Sequence, residues 1–106
     1  STGYSLSAGG PIVAPAAGAM VITPVCPHSL NARSIVVSDL DEVTIKVRQS
    51  KKTQEEEAIA TVDGGASAKL RAGDYIKVRR AGCMVKLVRL SGRSFYQVLR
   101  AKLNGV

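Results

Sequence analysis

Residues 42–49 read EVTIKVRQ, and the pattern of this segment decides the predicted fold. Every second residue is apolar, namely Val43, Ile45 and Val47, and the residues between them are polar or charged. Successive side chains of a β-strand point to opposite faces, so this alternation is typical of a half-buried strand in an antiparallel sheet. The chain is therefore predicted to be mainly β.

Further short segments with strand character lie on both sides of EVTIKVRQ and are separated by turn signals. They are AMVITPV (19–25), SIVVS (34–38), AIATV (58–62), ASAKL (66–70), GDYIKVRRAG (73–82) and CMVKLVRL (83–90). Asp63 and Gly64 provide the positive-φ residues that a two-residue hairpin loop needs. CPHSLNAR (26–33) has the composition of a loop, and SKKTQEEE (50–57) that of a polar, hairpin-like excursion. Short strands at this spacing predict an antiparallel β-sandwich or barrel with one modest core of Val, Ile, Leu and Ala.

A short helix is predicted at the start of this sequence and an amphipathic helix at its end. The opening TGYSLSA (2–8) would form about two turns, ended by Gly9 and Gly10. Ser94 and Gln97 have the spacing of a capping box. The helix that follows has one apolar face, formed by Phe95, Val98, Leu99 and Leu103. A small β domain is not expected to cover this face, so we expect the helix to dock on another domain.

The net charge of +7 is unevenly distributed along the 106 residues. Residues 1–42 carry one arginine against three acidic residues, and residues 43–106 carry fourteen lysines and arginines against five acidic residues. A basic region of this kind suits nucleic acid, an acidic membrane surface or a phosphorylated small molecule. The basic strand faces lack the interleaved aromatic residues that stack bases, which favours a solvated sheet face over a nucleic-acid site.

Two cysteines and one histidine raise the question of a metal site. Cys26 and His28 are close in sequence and Cys83 would have to be a third ligand, but no fourth is evident. His28 is therefore interpreted as a structural loop residue, and no metal site is predicted. No apolar run is long enough to cross a membrane and no basic signal sequence is present, so a cytoplasmic location is predicted. Cys26 and Cys83 are then expected to be reduced and buried rather than bridged.

The hydroxyl-rich opening STGYSLSAGGP (1–11) has the clearest potential for binding. Thr2 and Ser7 offer short hydroxyl donors and acceptors, and Tyr4 adds a flat ring with a hydroxyl. Gly9 and Gly10 permit close approach of the backbone. These features suit a nucleotide base or sugar, and they equally suit ordinary helix capping and turn formation. The residues alone leave both interpretations open.

Four parts of the sequence, in this order, resemble the C-terminal part of the bacterial-type NAD kinases. They are STGYSLSAGGPIV, MVITPVCPHSLNARSIVV, VDGG…LRAGDYIKVRRA and SFYQVLRAKLNG, which together span nearly the whole chain. The resemblance implies phosphoryl transfer from ATP or inorganic polyphosphate to the 2′-hydroxyl of the adenosine ribose of NAD, giving NADP, with Mg²⁺ or another divalent cation. It also implies that residues 1–106 are a single, partial domain, the antiparallel, β-sandwich-like NAD-binding domain of such an enzyme.

The same resemblance assigns site residues and partners. It places Thr2 and Ser7 at the adenine region, Tyr4 against the bound NAD, and Gly3 at a backbone contact where the family commonly has alanine. The family's essential aspartate, and the Asn-Glu pair that helps hold the ribose, belong to motifs that do not occur in residues 1–106. No catalytic residue is therefore assigned here, and these residues alone are expected to lack kinase activity. The implied partners are an N-terminal α/β domain of the same protein and further copies in a dimer or tetramer, with no nucleic acid and no membrane.

Two other functions compete with this one. A lipid or diacylglycerol kinase relative would share the two-domain architecture, but the STGYSLSAGGP and CPHSL segments follow the NAD kinase pattern. A small basic β domain that binds nucleic acid would show binding that weakens steeply with salt.

Overall fold

A computed structural model describes residues 4–49 and 57–104 of the chain. The elements within these ranges are α1 (Tyr4–Ser7), β1 (Ala19–Ile22), β2 (Ile35–Ser38), β3 (Val43–Lys46), β4 (Glu57–Thr61), β5 (Ser67–Arg71), β6 (Tyr75–Val78) and α2 (Phe95–Leu103). The predicted mainly β fold is confirmed, with a short helix early in the sequence and a second helix late in it. Of the predicted polar excursion at 50–57, only Glu57 lies within the described residues.

The described strands form three antiparallel pairs. β1 pairs with β2, β3 with β6, and β4 with β5. Contacts divide the chain into two units, one made of Ser1–Leu40 with Ala81–Val106 and the other of Asp41–Arg80. The β1–β2 pair and both helices belong to the first unit, and the other two strand pairs belong to the second.

The β1–β2 pair is joined by the loop predicted at residues 26–33. Its register pairs Ile22 with Ile35, and Thr23 and Ser34 are the next residues beyond this last pair. Pro24 follows at once and cannot donate a backbone hydrogen bond, so it ends the strand. This register brings a hydroxyl side chain from each segment to the same end of the pair.

The β4–β5 hairpin contains the turn that Asp63 and Gly64 predicted. Their φ angles are 50° and 69°, in the left-handed region that glycine enters without steric cost and aspartate tolerates. The Gly65 N–H donates to the Val62 carbonyl at 2.9 Å. The Val62 N–H in turn donates to the Ala66 carbonyl at 2.9 Å, so the loop contains three residues rather than two.

Within segment 42–49, residues Val43–Lys46 form β3, which is antiparallel to β6, as the alternation predicts. Ile45 pairs with Ile76 across the two strands. Val43 and Val47 are half-buried and the polar residues between them are exposed. Ile45, on the predicted inner face, is still 45% exposed. The predicted face is therefore present but only partly covered.

The capping box of α2 is present. Ser94 Oγ accepts a hydrogen bond from the Gln97 N–H at 3.3 Å, and Gln97 Oε1 accepts one from the Ser94 N–H at 2.8 Å. Leu99, on the predicted apolar face, is 8% exposed. Neither helix in the described ranges has the length and apolar character needed to cross a membrane.

Two predictions about strands and core are wrong. CMVKLVRL (83–90) forms no strand, and its large apolar side chains are 83–97% exposed, namely Met84, Val85, Leu87, Val88 and Leu90. The expected core of Val, Ile, Leu and Ala is also absent, because Leu99 is the one buried hydrophobic side chain among the described residues. A strand needs a hydrogen-bonding neighbour, and a two-stranded pair leaves both faces open unless another layer covers them.

Candidate functional site

Helix α1 presents two of the four predicted site residues to solvent. Tyr4 is 88% exposed, and Ser7, three residues further along, is exposed as well. Residues three apart on a helix lie on the same face, so the ring and the hydroxyl can meet one ligand together. The other two predicted site residues, Thr2 and Gly3, lie outside the described residues.

The end of α1 is closed by backbone hydrogen bonds at the glycines that were predicted to stop it. The Gly9 N–H donates to the Leu6 carbonyl at 3.1 Å, and the Gly10 N–H donates to the Ser5 carbonyl at 2.7 Å. This pair of bonds is a common way of ending a helix at glycine. The described helix has four residues, which is about one turn, whereas about two turns were expected.

Three hydroxyl groups connect α1 to the first strand pair. The hydroxyls of Ser5 and Thr23 are 2.7 Å apart, and the Ser34 hydroxyl donates to Thr23 Oγ1 at 3.1 Å. All three residues are half-buried. We call Ser5, Thr23 and Ser34 the hydroxyl cluster. It joins α1 to the residue that follows β1 and to the residue that precedes β2.

Gly10 is buried beside this cluster and has no room for a side chain. A Cβ atom there would collide with Ser5 Oγ and would lie 2.7 Å from the Ser5 carbonyl oxygen and 2.9 Å from Thr23 Oγ1. The close backbone approach predicted at Gly10 therefore occurs between α1 and the segment that follows β1. It leaves no space for a ligand at this glycine.

The surroundings of α1 in sequence carry no charge. Residues 1–32 contain no Asp, Glu, Lys or Arg, and Arg33 is the first charged residue. Phosphate recognition commonly uses arginine or lysine, whereas uncharged bases and sugars are recognised by hydrogen bonds and stacking. The Tyr4 ring and the Ser7 hydroxyl offer stacking and hydrogen bonding without a charge of their own.

The cysteines and the histidine do not form a site within residues 4–49 and 57–104. Cys26 and Cys83 are free thiols as predicted, but both are exposed, so their predicted burial is wrong. Each lies in an irregular segment, and such segments run over the surface because their backbone groups need water. His28 is exposed in the same loop as Cys26. No group of three or more His, Cys, Asp or Glu there is arranged to hold a metal ion.

Two strand lysines are paired with glutamates. Lys77 Nζ lies 3.1 Å from Glu42 Oε1, and Lys69 Nζ lies 4.0 Å from Glu57 Oε2. Exposed pairs of this kind add little stability, but they reduce the positive charge that a polyanion would meet. This favours the interpretation of the basic strand faces as solvated surface.

The sequence pattern did not single out the hydroxyl cluster. Thr23 and Ser34 lie within segments that were predicted as strands, and they meet only because Ile22 pairs with Ile35. Thr23 and Ser34 each lie one residue beyond the Ile22–Ile35 pair. Once this register is known, their positions predict that the two side chains are neighbours. Ser5 lies between two predicted site residues and has the same residue type as Ser7.

Together, these features define a mainly antiparallel β domain that exposes a neutral, hydroxyl-bearing helical turn. A family model described as the ATP-NAD kinase C-terminal domain matches residues 1–90. The matched residues include α1, the hydroxyl cluster and all the described strands. The chain belongs to this family.

Relatives that match nearly the whole chain are named NAD kinase. The NAD kinase of Lachnoclostridium phytofermentans is 63% identical over 102 residues, which are 96% of this chain and 36% of that protein. Those of Carboxydothermus hydrogenoformans and Ruminiclostridium cellulolyticum are 48% and 44% identical, each over 97% of this chain and 35% of the relative. The chain therefore spans about a third of the length of the curated relatives that it matches.

Proposed function

We propose that this chain is the C-terminal, NAD-binding part of an NAD kinase, which phosphorylates the 2′-hydroxyl of the adenosine ribose of NAD and forms NADP. The observation that carries the proposal is the position of α1 in the family match. Tyr4 and Ser7 lie inside the matched residues 1–90, and both are exposed to solvent. The names of the relatives favour NAD over a lipid as the substrate.

The chain's own contribution in this proposal is recognition of the nucleoside. The Tyr4 ring lies against NAD, the hydroxyls of Thr2 and Ser7 bond the adenine region, and Gly3 offers its backbone. Phosphoryl transfer depends mostly on positioning and on electrostatic stabilisation of the transferred group. A neutral surface of hydroxyls and a ring supplies positioning, and it leaves the charges to other parts of the enzyme.

ATP or polyphosphate as donor, and Mg²⁺ or another divalent cation, complete the proposed reaction. Mg²⁺ is bound by carboxylates and substrate phosphates. The described residues contain no group of three or more His, Cys, Asp or Glu suited to a metal. We assign no metal ligand, no catalytic group and no step at the metal to these residues. The resemblance places the family's essential aspartate on an N-terminal α/β domain of the same protein, and we propose that this domain carries those roles.

We also propose that the intact enzyme is a homo-oligomer, a dimer or tetramer, in the cytoplasm. Self-association is what the resemblance to the NAD kinase family implies. Light scattering after size-exclusion chromatography of the full-length protein gives the number of copies, and a monomer at micromolar concentration would contradict this part of the proposal.

The proposal is tested on the full-length protein by following NADP formation from NAD and ATP. Replacing Tyr4 by alanine removes the ring from the proposed NAD surface. We expect the KM for NAD to rise about three- to tenfold, the range that corresponds to the loss of one aromatic contact. The KM for ATP and the melting temperature are expected to stay at the wild-type values, because the Tyr4 side chain is 88% exposed.

Tyr75→Ala is the matched control, because Tyr75 is a 59% exposed tyrosine on β6. Its KM for NAD is expected to equal that of the wild type. The proposed function fails if the wild-type protein does not convert NAD to NADP, or if Tyr4→Ala and Tyr75→Ala have the same KM for NAD. Competition between NAD and a diacylglycerol for the wild-type protein distinguishes the NAD kinase from a lipid kinase relative.

A further inference from the structure

We propose that the hydroxyl cluster is a positioning element that holds α1 in the orientation in which Tyr4 and Ser7 receive NAD. The inference rests on the proposed function, because it concerns how the same surface is kept in place. Ser5, Thr23 and Ser34 act through α1 and are positioning residues rather than catalytic ones.

Helix α1 needs an external support. It has four residues, and a helix of this length has no stability of its own in water. Tyr4 is almost fully exposed, so its ring has little packing to hold the helix in one orientation. Ser5 lies between Tyr4 and Ser7 and is half-buried, so its hydrogen bond to Thr23 is a contact that can fix the direction of this turn.

Thr23 transmits the position of the strand pair to α1. The β1–β2 register places Thr23 just beyond Ile22, and the hydroxyl of Ser34, the residue before β2, donates to it. Strand pairing restricts both backbones, so the Thr23 hydroxyl is presented from a defined place. Its 2.7 Å separation from the Ser5 hydroxyl then links α1 to that place.

A hydrogen bond is suited to this role because it restricts direction as well as distance. A hydrogen bond weakens steeply once its donor angle falls below about 120°, whereas apolar contacts have no preferred direction. The buried Gly10 adds to the restriction, because a Cβ there would lie 2.9 Å from Thr23 Oγ1. The geometry therefore favours one orientation of α1. The hydroxyl of Thr23, and not the shape of the Thr23 side chain, maintains this orientation.

The experiment compares Thr23→Val with Thr23→Ser in the full-length protein. Valine keeps the shape of threonine and removes the hydroxyl, while serine keeps the hydroxyl and removes the methyl group. We expect the KM for NAD to rise about three- to tenfold in Thr23→Val, the range that corresponds to one lost hydrogen bond, and to stay within about twofold of the wild-type value in Thr23→Ser. The KM for ATP is expected to be unchanged in both variants.

Thr44→Val is the matched control, because it makes the same threonine-to-valine change at an exposed position of β3. Its KM for NAD is expected to equal that of the wild type. A purely structural role would lower the melting temperature and the active fraction of Thr23→Val without a selective change in the KM for NAD. That result would overturn the inference, as would an unchanged KM for NAD in Thr23→Val.

Ser34→Ala provides a second measurement if Thr23→Val does not fold. It removes the outer donor of the cluster and leaves Ser5 and Thr23 in place. We expect the KM for NAD to rise in the same direction and less steeply, and an unchanged KM would overturn the inference. If the wild-type protein forms no NADP, the proposed function itself fails. If it forms NADP and these variants keep its KM for NAD, only the positioning role fails.

Discussion

Gly10 is the position near α1 at which the smallest chemical change is expected to have the clearest effect. In Gly10→Ala the new methyl group would meet the Ser5 carbonyl oxygen and Thr23 Oγ1 at 2.7 and 2.9 Å, and both belong to restrained segments. Relieving contacts of this kind requires α1 to move. We expect the free energy of unfolding of the full-length protein to fall by about 1–3 kcal/mol, the usual cost of overpacking, measured by urea denaturation.

Gly65→Ala is the control at the same scale. Its added Cβ would lie 3.5 Å from the Val62 carbonyl oxygen, an ordinary van der Waals distance. The free energy of unfolding is expected to change by no more than about 0.5 kcal/mol. Equal destabilisation by the two substitutions would show that glycine at position 10 is not required by its neighbours.

Helix α2 is the element whose stability depends most directly on a local sequence signal. Its capping box satisfies the backbone N–H of Gln97 through Ser94 Oγ and that of Ser94 through Gln97 Oε1. Ser94→Ala removes the first of these bonds. We expect it to lower the free energy of unfolding of the full-length protein by about 0.5–2 kcal/mol, measured by urea denaturation.

Ser94→Asp is expected to stay close to the wild-type stability, because aspartate accepts the same bond and its charge suits a helix N-terminus. Ser67→Ala, at an exposed serine of β5, serves as the matched control. If Ser94→Ala and Ser67→Ala have equal stabilities, the capping box does not contribute to the stability of α2.

At the scale of the whole molecule, one described segment exposes a run of large apolar side chains. The apolar side chains of residues 84–90 are 83–97% exposed, and a groove of about 330 Å³ lies where this segment approaches the start of α2. The groove is lined by Val88, Arg89, Leu90, Ser91, Arg93, Phe95 and Val98. Contiguous apolar patches on soluble proteins usually mark contact surfaces, which agrees with the proposed N-terminal domain.

Residues 1–106 produced alone are therefore expected to bind more of a hydrophobic dye such as ANS per mole than the full-length protein does. The reason is that a covering domain removes apolar surface from the dye. A matched variant of the shorter protein, with Leu87 and Val88 both replaced by serine, is expected to bind less dye than its parent. Equal dye binding per mole by the shorter and the full-length proteins would argue against a covering domain.

Local features of this fold could be predicted because their causes lie within a few residues. Asp63 and Gly64 specify the hairpin turn through their φ angles, and Ser94 with Gln97 specifies the start of α2. The strands at 35–38 and 75–78 follow from short runs of alternating or β-branched residues. CMVKLVRL has the same composition, but a strand also needs a neighbour, and no local pattern reports whether one is present.

By itself, the sequence predicted the order of the two helices and six described strands, the turn at residues 63–64 and the cap of α2, and it added a strand at 83–90 that the structure lacks. The tertiary structure alone decided that Ser5, Thr23 and Ser34 meet, that Gly10 has no space for a side chain, and that the cysteines are exposed. The physical reason is range. Turns and caps are closed by bonds across three or four residues. The two hydrogen bonds of the hydroxyl cluster join residues 18 and 11 positions apart, and the cluster depends on the register of β1 with β2.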